Sequence, residues 1–110
     1  MNNAQMQNAR LSNANFMNAT LTSADMAYAD LRASNFSYAQ LQNTNLVGAD
    51  LSKADLSYAD LSNAALSYAN LSNANLSGSI LDNVSFDHAV WPNGDICSEQ
   101  SVGQCIRIKP

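Results

Sequence analysis

A small residue, a polar residue and a large apolar residue recur every five positions along most of this chain. Residues 49–76 show the rhythm most plainly: Ala-Asp-Leu-Ser-Lys, Ala-Asp-Leu-Ser-Tyr, Ala-Asp-Leu-Ser-Asn, Ala-Ala-Leu-Ser-Tyr, Ala-Asn-Leu-Ser-Asn, Ala-Asn-Leu. Five is a period that no regular element accommodates. In an α-helix each residue turns about 100°, so five residues move the apolar position by roughly 140° and the leucines scatter. On a flat strand side chains alternate with period two, and an odd repeat flips every leucine to the opposite face. A chain that bends once per repeat keeps the leucines together. The small residue and the leucine stand two apart and face the same way, and the bend restores the phase.

Bends of about 90° close a square after four repeats, and the next turn stacks one strand spacing above, about 4.8 Å. Such a solenoid is a one-dimensional stack in which each turn touches only its neighbours. Met6 and Met26 stand twenty apart, as do Phe16 and Phe36, and Asn43, Asn63 and Asn83 form a similar series. Most of these spacings also fit a period of ten. The central positions run from Met6, Leu11 and Phe16 to Phe86 and Trp91, eighteen repeats in one register. At four per turn they make about 4.5 coils and roughly 22 Å of stack. Two positions before each centre stands Ala, except at Ser34, Thr44, Ser79 and Val84. Close packing inside a narrow coil demands small residues there.

The A(D/N)LXX pattern, held in phase over most of the chain, resembles the pentapeptide-repeat family. The resemblance implies an all-β fold, a right-handed quadrilateral parallel β-helix with the centre and the small residue facing inward. Residues 1–91 are expected to form it. The pattern weakens after Leu76: Ile80 and Val90 replace polar residues and Val84 replaces Ala. Trp91 is read as a lid on the core, Pro92-Asn93-Gly94 as a turn, and residues 92–110 as a cap. Cys97 and Cys105, the two cysteines of the chain, both fall in that cap. A disulfide between them is expected, contributing roughly 2–3 kcal/mol for so short a loop; free thiols are the alternative. Zinc needs four ligands, and His88 is the single histidine. The ending Trp-Pro-Asn-Gly…Cys…Ser-Val-Gly-Gln-Cys also resembles the tails of some cyanobacterial members of the family.

A chain of 110 residues is long enough for one domain. Five basic against nine acidic residues give a net charge of −4, which argues against nonspecific nucleic-acid binding. No run of about 20 apolar residues spans a membrane, and no basic stretch followed by an apolar one marks a signal peptide. With the disulfide, a periplasm or thylakoid lumen is the expected compartment; without it, the cytoplasm. No cofactor motif and no cluster of metal ligands is visible.

The outward residues carry the candidate sites. With twenty residues per turn, Asp30 lies under Asp50, with Arg10 beneath and Asn70 above. This column reads as an acidic strip for a cation or basic partner, or as a solvated wall with asparagine ladders along the stack. Tyr28 and Tyr68 share one face and Tyr38 and Tyr58 the opposite one, rows that bind sugars or proteins or only stiffen the coil. Ser85, Asp87 and His88 fall at outward positions that nothing arranges for catalysis. No cap covers Ala4 and Met6, so that end exposes strand edges and is a candidate site for a homodimer.

The expected function is a non-enzymatic scaffold with a protein partner. One alternative is an end-to-end self-assembling module. Another comes from the resemblance: some family members mimic B-DNA and inhibit DNA gyrase. Duplex DNA carries one charge per about 1.7 Å, so roughly 22 Å of stack needs about 13, against a net −4 here.

Overall fold

The computed structural model describes residues 3–99 and 101–104. Every repeat bends at the two residues that follow its centre. The centre's carbonyl accepts the N–H of the residue three further on, from Ala9 to Met6 at 3.2 Å to Gly94 to Trp91 at 2.8 Å. From Asn3 to His88 the second bend residue has positive φ, from 57° at Ala33 to 70° at Gly78, and the first does not. That is the type II turn; Asn93, in the last turn, is not among these residues. Asparagine, which tolerates the left-handed region best after glycine, fills eight of the eighteen such positions.

Between bends the chain makes one ladder step per repeat. Fourteen parallel bridges join each residue before a centre to the residue twenty further on, from Gln5–Asp25 to Asn70–Val90. The bridges define four walls. Wall 1 holds residues 5, 25, 45, 65 and 85; wall 2 holds 10, 30, 50, 70 and 90; wall 3 holds 15, 35, 55 and 75; wall 4 holds 20, 40, 60 and 80. Twenty residues therefore make one circuit.

The backbone donors of one repeat can be followed one by one. Asp50 N–H bonds to Ala29 in the coil before (3.0 Å). Leu51 and Lys53 N–H bond to Asn70 and Ser72 in the coil after (2.7 and 2.9 Å), and Ala54 N–H closes the turn on Leu51 (3.0 Å). Only the first bend residue, Ser52, lacks a backbone partner, and the Asp50 carboxylate accepts its N–H at 3.1 Å. The same bond recurs from Asn15 to Asn75, and serines 37, 52, 57 and 62 add a hydroxyl bond to the same oxygen. The Asx turn explains why Asp and Asn interchange before the leucine and why Ser follows it. These bonds are made within each turn, in place of the asparagine ladders expected along the stack. Side-chain bonds between coils come instead from glutamines, as in Gln7 to Asp25 (2.8 Å) and Gln42 to Asp60 (3.0 Å).

The centres from Leu21 to Leu71 and the small residues from Ala24 to Ala74 are buried. Ser34, Thr44 and Ser79 stand where alanine is usual. Each donates its hydroxyl to the carbonyl of the preceding centre, at 2.6, 2.8 and 2.7 Å, so no interior hydroxyl among them goes unpaired. In the first coil Ala4, Met6, Leu11, Phe16 and Ala19 are only partly buried. At the other end Trp91 meets Phe86 edge-on, 4.9 Å between ring centres. The chain then reverses, and Val90–Ile96 and Ser85–Val102 pair antiparallel. Phe86 and His88 N–H, which have no further coil to meet, donate to Ser101 and Cys97 (2.8 and 3.0 Å). Cys97 is fully buried and is not a free thiol; its expected partner, Cys105, lies outside the described residues. No helix among the described residues is long and apolar enough to cross a membrane.

Candidate functional site

The second bend residues stack into four corner columns, and two of these carry the tyrosines. Between walls 1 and 2 the column reads Asn8, Tyr28, Gly48, Tyr68, His88; between walls 3 and 4 it reads Asn18, Tyr38, Tyr58, Gly78. The two columns are ten residues apart, half a circuit. The turn aims each of these side chains outward, and the four tyrosines are 58–64 % exposed. Tyr38 and Tyr58 stack with ring centres 5.1 Å apart and planes 10° apart. Tyr68 stacks on His88 at 4.8 Å and 5°. Tyr28 and Tyr68 are two coils apart with Gly48 between them. A Cβ on Gly48 would fall 2.4 Å from Tyr28 Cε1, and one on Gly78 would fall 2.6 Å from Tyr58 Cδ1. Both glycines thus give their space to the ring of the preceding coil.

The acidic strip is divided by its own hydrogen bonds. Asp30 and Asp50 are bridge neighbours on wall 2. Arg32 Nε and Nη2 donate to the two Asp30 oxygens, each at 2.8 Å. Those bonds hold the Asp30 carboxyl below its ordinary pKa against partial desolvation, with help from the Arg10 charge, and raise the Arg32 guanidinium in turn. Asp50 spends one oxygen on Ser52. Among the described residues no group of His, Cys, Asp or Glu is placed to hold a metal ion.

An open groove of about 470 Å³ runs along the next corner, lined by Ser12, Asn13, Arg32, Ala33, Ser52 and Lys53, where the short Ala33 leaves a dip between longer neighbours. His88 reaches Glu99 (Nε2 to Oε1 3.9 Å) and stacks on Tyr68, and no hydrogen bond between described residues links it to Ser85 or Asp87. Ala4 and Met6 lie in the half-buried first coil. Asp55 and Asp60, which precede the centres Leu56 and Leu61, belong to the same outer surface. They flank Tyr58 by three and two positions, a spacing that marks them as neighbours once the bend is known.

The "Pentapeptide repeats" family model matches the chain in eight copies, over residues 1–37, 34–67 and 69–90. Among solved structures, the chain is similar to a pentapeptide-repeat protein, Rfr23, from the cyanobacterium Cyanothece 51142. They share 30 % identity over 80 % of this chain and 74 % of that one, with a TM-score of 0.78. It is also similar to HetL from Nostoc sp. strain PCC 7120, a pentapeptide-repeat protein involved in heterocyst differentiation regulation: 31 % identity, 86 % and 62 % covered, TM-score 0.48. A third, alr5209 of Nostoc PCC 7120, is 40 % identical over 74 % of this chain and 67 % of its own, with a TM-score of 0.37. This chain therefore spans less than two thirds of HetL. No curated protein matches it.

Proposed function

The chain belongs to the pentapeptide-repeat family and has its right-handed quadrilateral β-helix fold, and on that premise we propose that it is a non-enzymatic scaffold, about 4.5 coils long, whose outer surface binds another protein. The observation that carries this reading is how the polar groups are used. Within the repeats, backbone donors and the Asx and Ser side chains satisfy one another turn by turn. What remains for recognition is a set of exposed side chains at the corners, the four tyrosines foremost. Aromatic residues on a rigid frame suit protein recognition because little rotamer freedom is lost on binding. A cross-linking pull-down from native lysate is expected to recover a reproducible protein partner; recovery of nothing reproducible refutes the scaffold reading.

Two alternatives remain testable. End-to-end assembly through Ala4 and Met6 is favoured by the partial burial of Met6, Leu11 and Phe16; a clean monomer by light scattering at high concentration removes it. DNA mimicry is disfavoured because Arg10, Arg32 and Lys53 interrupt the acidic surface and Arg32 pairs with Asp30. Inhibition of gyrase supercoiling at micromolar protein reverses that ranking. The Cys97–Cys105 bridge belongs to the same proposal and favours an oxidising compartment.

A further inference from the structure

The two tyrosine corners differ in their electrostatic setting. Among the described residues the cations are Arg10, Arg32 and Lys53, and all lie on wall 2 or at the corner between walls 2 and 3. The Tyr28 corner borders that wall. The Tyr38–Tyr58 corner is one wall further on, and walls 3 and 4 supply it with Asp55 and Asp60 and no cation. Asp55 Oδ1 accepts both bonds from Ser57 (3.0 and 2.6 Å). Its Oδ2 makes no hydrogen bond among the described residues. Asp60 Oδ2 takes one bond from Gln42 at 3.0 Å. The two rings form an exposed parallel stack. Gly78 brings no side chain to the next level of the column and gives its space to the Tyr58 ring, so the stack of rings ends there. In the other column His88 covers Tyr68, and Gly48 parts it from Tyr28.

We infer that the Tyr38–Tyr58 corner, with Asp55 and Asp60 on either side, binds an arginine side chain of a basic protein segment. This deepens the scaffold reading and rests on it. A guanidinium is flat and weakly hydrated, so it packs along the exposed stack of the two rings as a cation–π contact while its edge donates to Asp55 Oδ2. An ammonium has no flat face to stack and holds its water more firmly. Neutral sugars also stack on tyrosine, but they gain nothing from the paired negative charge. The net charge of −4 steers a basic segment towards the protein as a whole, and the uncompensated corner fixes where it settles.

The test titrates the isotope-labelled protein with a decapeptide of alternating arginine and glycine at low salt, following backbone amides by NMR. Shifts are expected at Tyr38, at residues 57–60 and at Gly78. Tyr38→Asn and Tyr58→Asn put at these corners the commonest residue of the other turns, so the fold is kept. Each is expected to weaken binding about two- to fivefold, as loss of an exposed cation–π contact does. Tyr58→Phe, which keeps the ring, restores it. Asp55→Asn keeps the bonds to Ser57, removes the charge and also weakens binding. A matched lysine–glycine peptide binds less tightly. Shifts confined to another face, asparagine variants that bind as well as wild type, or equal affinity for the lysine peptide each overturn the inference. If wild type still captures a protein partner from lysate while the arginine peptide leaves this corner unshifted, the inference fails alone. If it captures none, the scaffold reading fails as well.

Discussion

Replacing Leu56 by alanine measures how much of the stability resides in the stacked interior. Leu56 is 0 % exposed, in a column with Phe36 one coil before and Leu76 one coil after. Its loss leaves a cavity whose size depends on whether the neighbouring coils can close in. The ladder resists closure: Leu56 N–H is tied to Asn75 at 2.8 Å, and Asp55 N–H to Ser34 at 2.9 Å. With so little room to relax, the loss belongs in the upper half of the range for buried leucine, about 4 kcal/mol. At about 4–8 °C per kcal/mol for a domain of this size, the midpoint falls by at least 16 °C or so. Leu11 is the control. It sits in the half-buried first coil, where truncation opens less cavity, and is expected to cost about half as much. Thermal melts of both variants beside wild type, followed by circular dichroism, give the comparison. A Leu56→Ala shift under about 4 °C, or a Leu11→Ala shift as large as that of Leu56→Ala, refutes the reasoning. Leu56→Asp goes further, because an unpaired carboxylate there costs several kcal/mol more; that variant is expected not to fold.

Other outcomes follow from single contacts. Asp50→Asn keeps the oxygen that accepts from Ser52 and is expected to leave the denaturation midpoint nearly unchanged, whereas Asp50→Ala strands that N–H and costs about 1 kcal/mol, as loss of a helix cap does. Equal midpoints for the two variants remove the Asx turn as the reason for the pattern. Gly48→Ala adds a Cβ 2.4 Å from the Tyr28 ring at a φ of +68°; it should lower the melting point and swing the ring outward, and Tyr28→Asn should recover the part due to the clash. The Asp30 carboxyl should titrate below 3.8, held down first by its bonds from Arg32. Because the folded value is the lower one, its stabilising contribution is present above the ordinary value and fades as pH falls through the lowered one. Carboxyl NMR shifts follow that titration, and Arg32→Gln should return it towards the ordinary value. For the tail, alkylation without reductant should leave the intact mass unchanged, and reductant should expose two reactive thiols at Cys97 and Cys105. Alkylation before reduction would discard the bridge.

The inward set was legible from the sequence because it depends only on period and residue size. The centres from Leu21 to Leu71 are buried because no helix or flat strand holds them together. The turn chemistry was written there too, though it is easily overlooked. Asparagine or glycine at the second bend position marks the left-handed residue in ten of the eighteen turns that have one, and the Asp/Asn-Leu-Ser triplet spells the Asx bond. Asp30 was legible as a charge on a strip but not as one neutralised by Arg32, since a two-residue spacing leaves open which way the guanidinium turns.

What the sequence determined unaided is the local geometry: which residue bends, which hides, and which side chain closes each turn, all settled within five positions of one another. The tertiary structure decided who neighbours whom. Residues twenty apart touch only after four bends close a circuit, so the stack of Tyr58 on Tyr38, the covering of Tyr68 by His88 and the gap at Gly48 exist only in the wound chain. The physical reason is that a repeat constrains its own backbone directly, whereas the outer surface is assembled from side chains of successive coils whose alignment is set by the ladder.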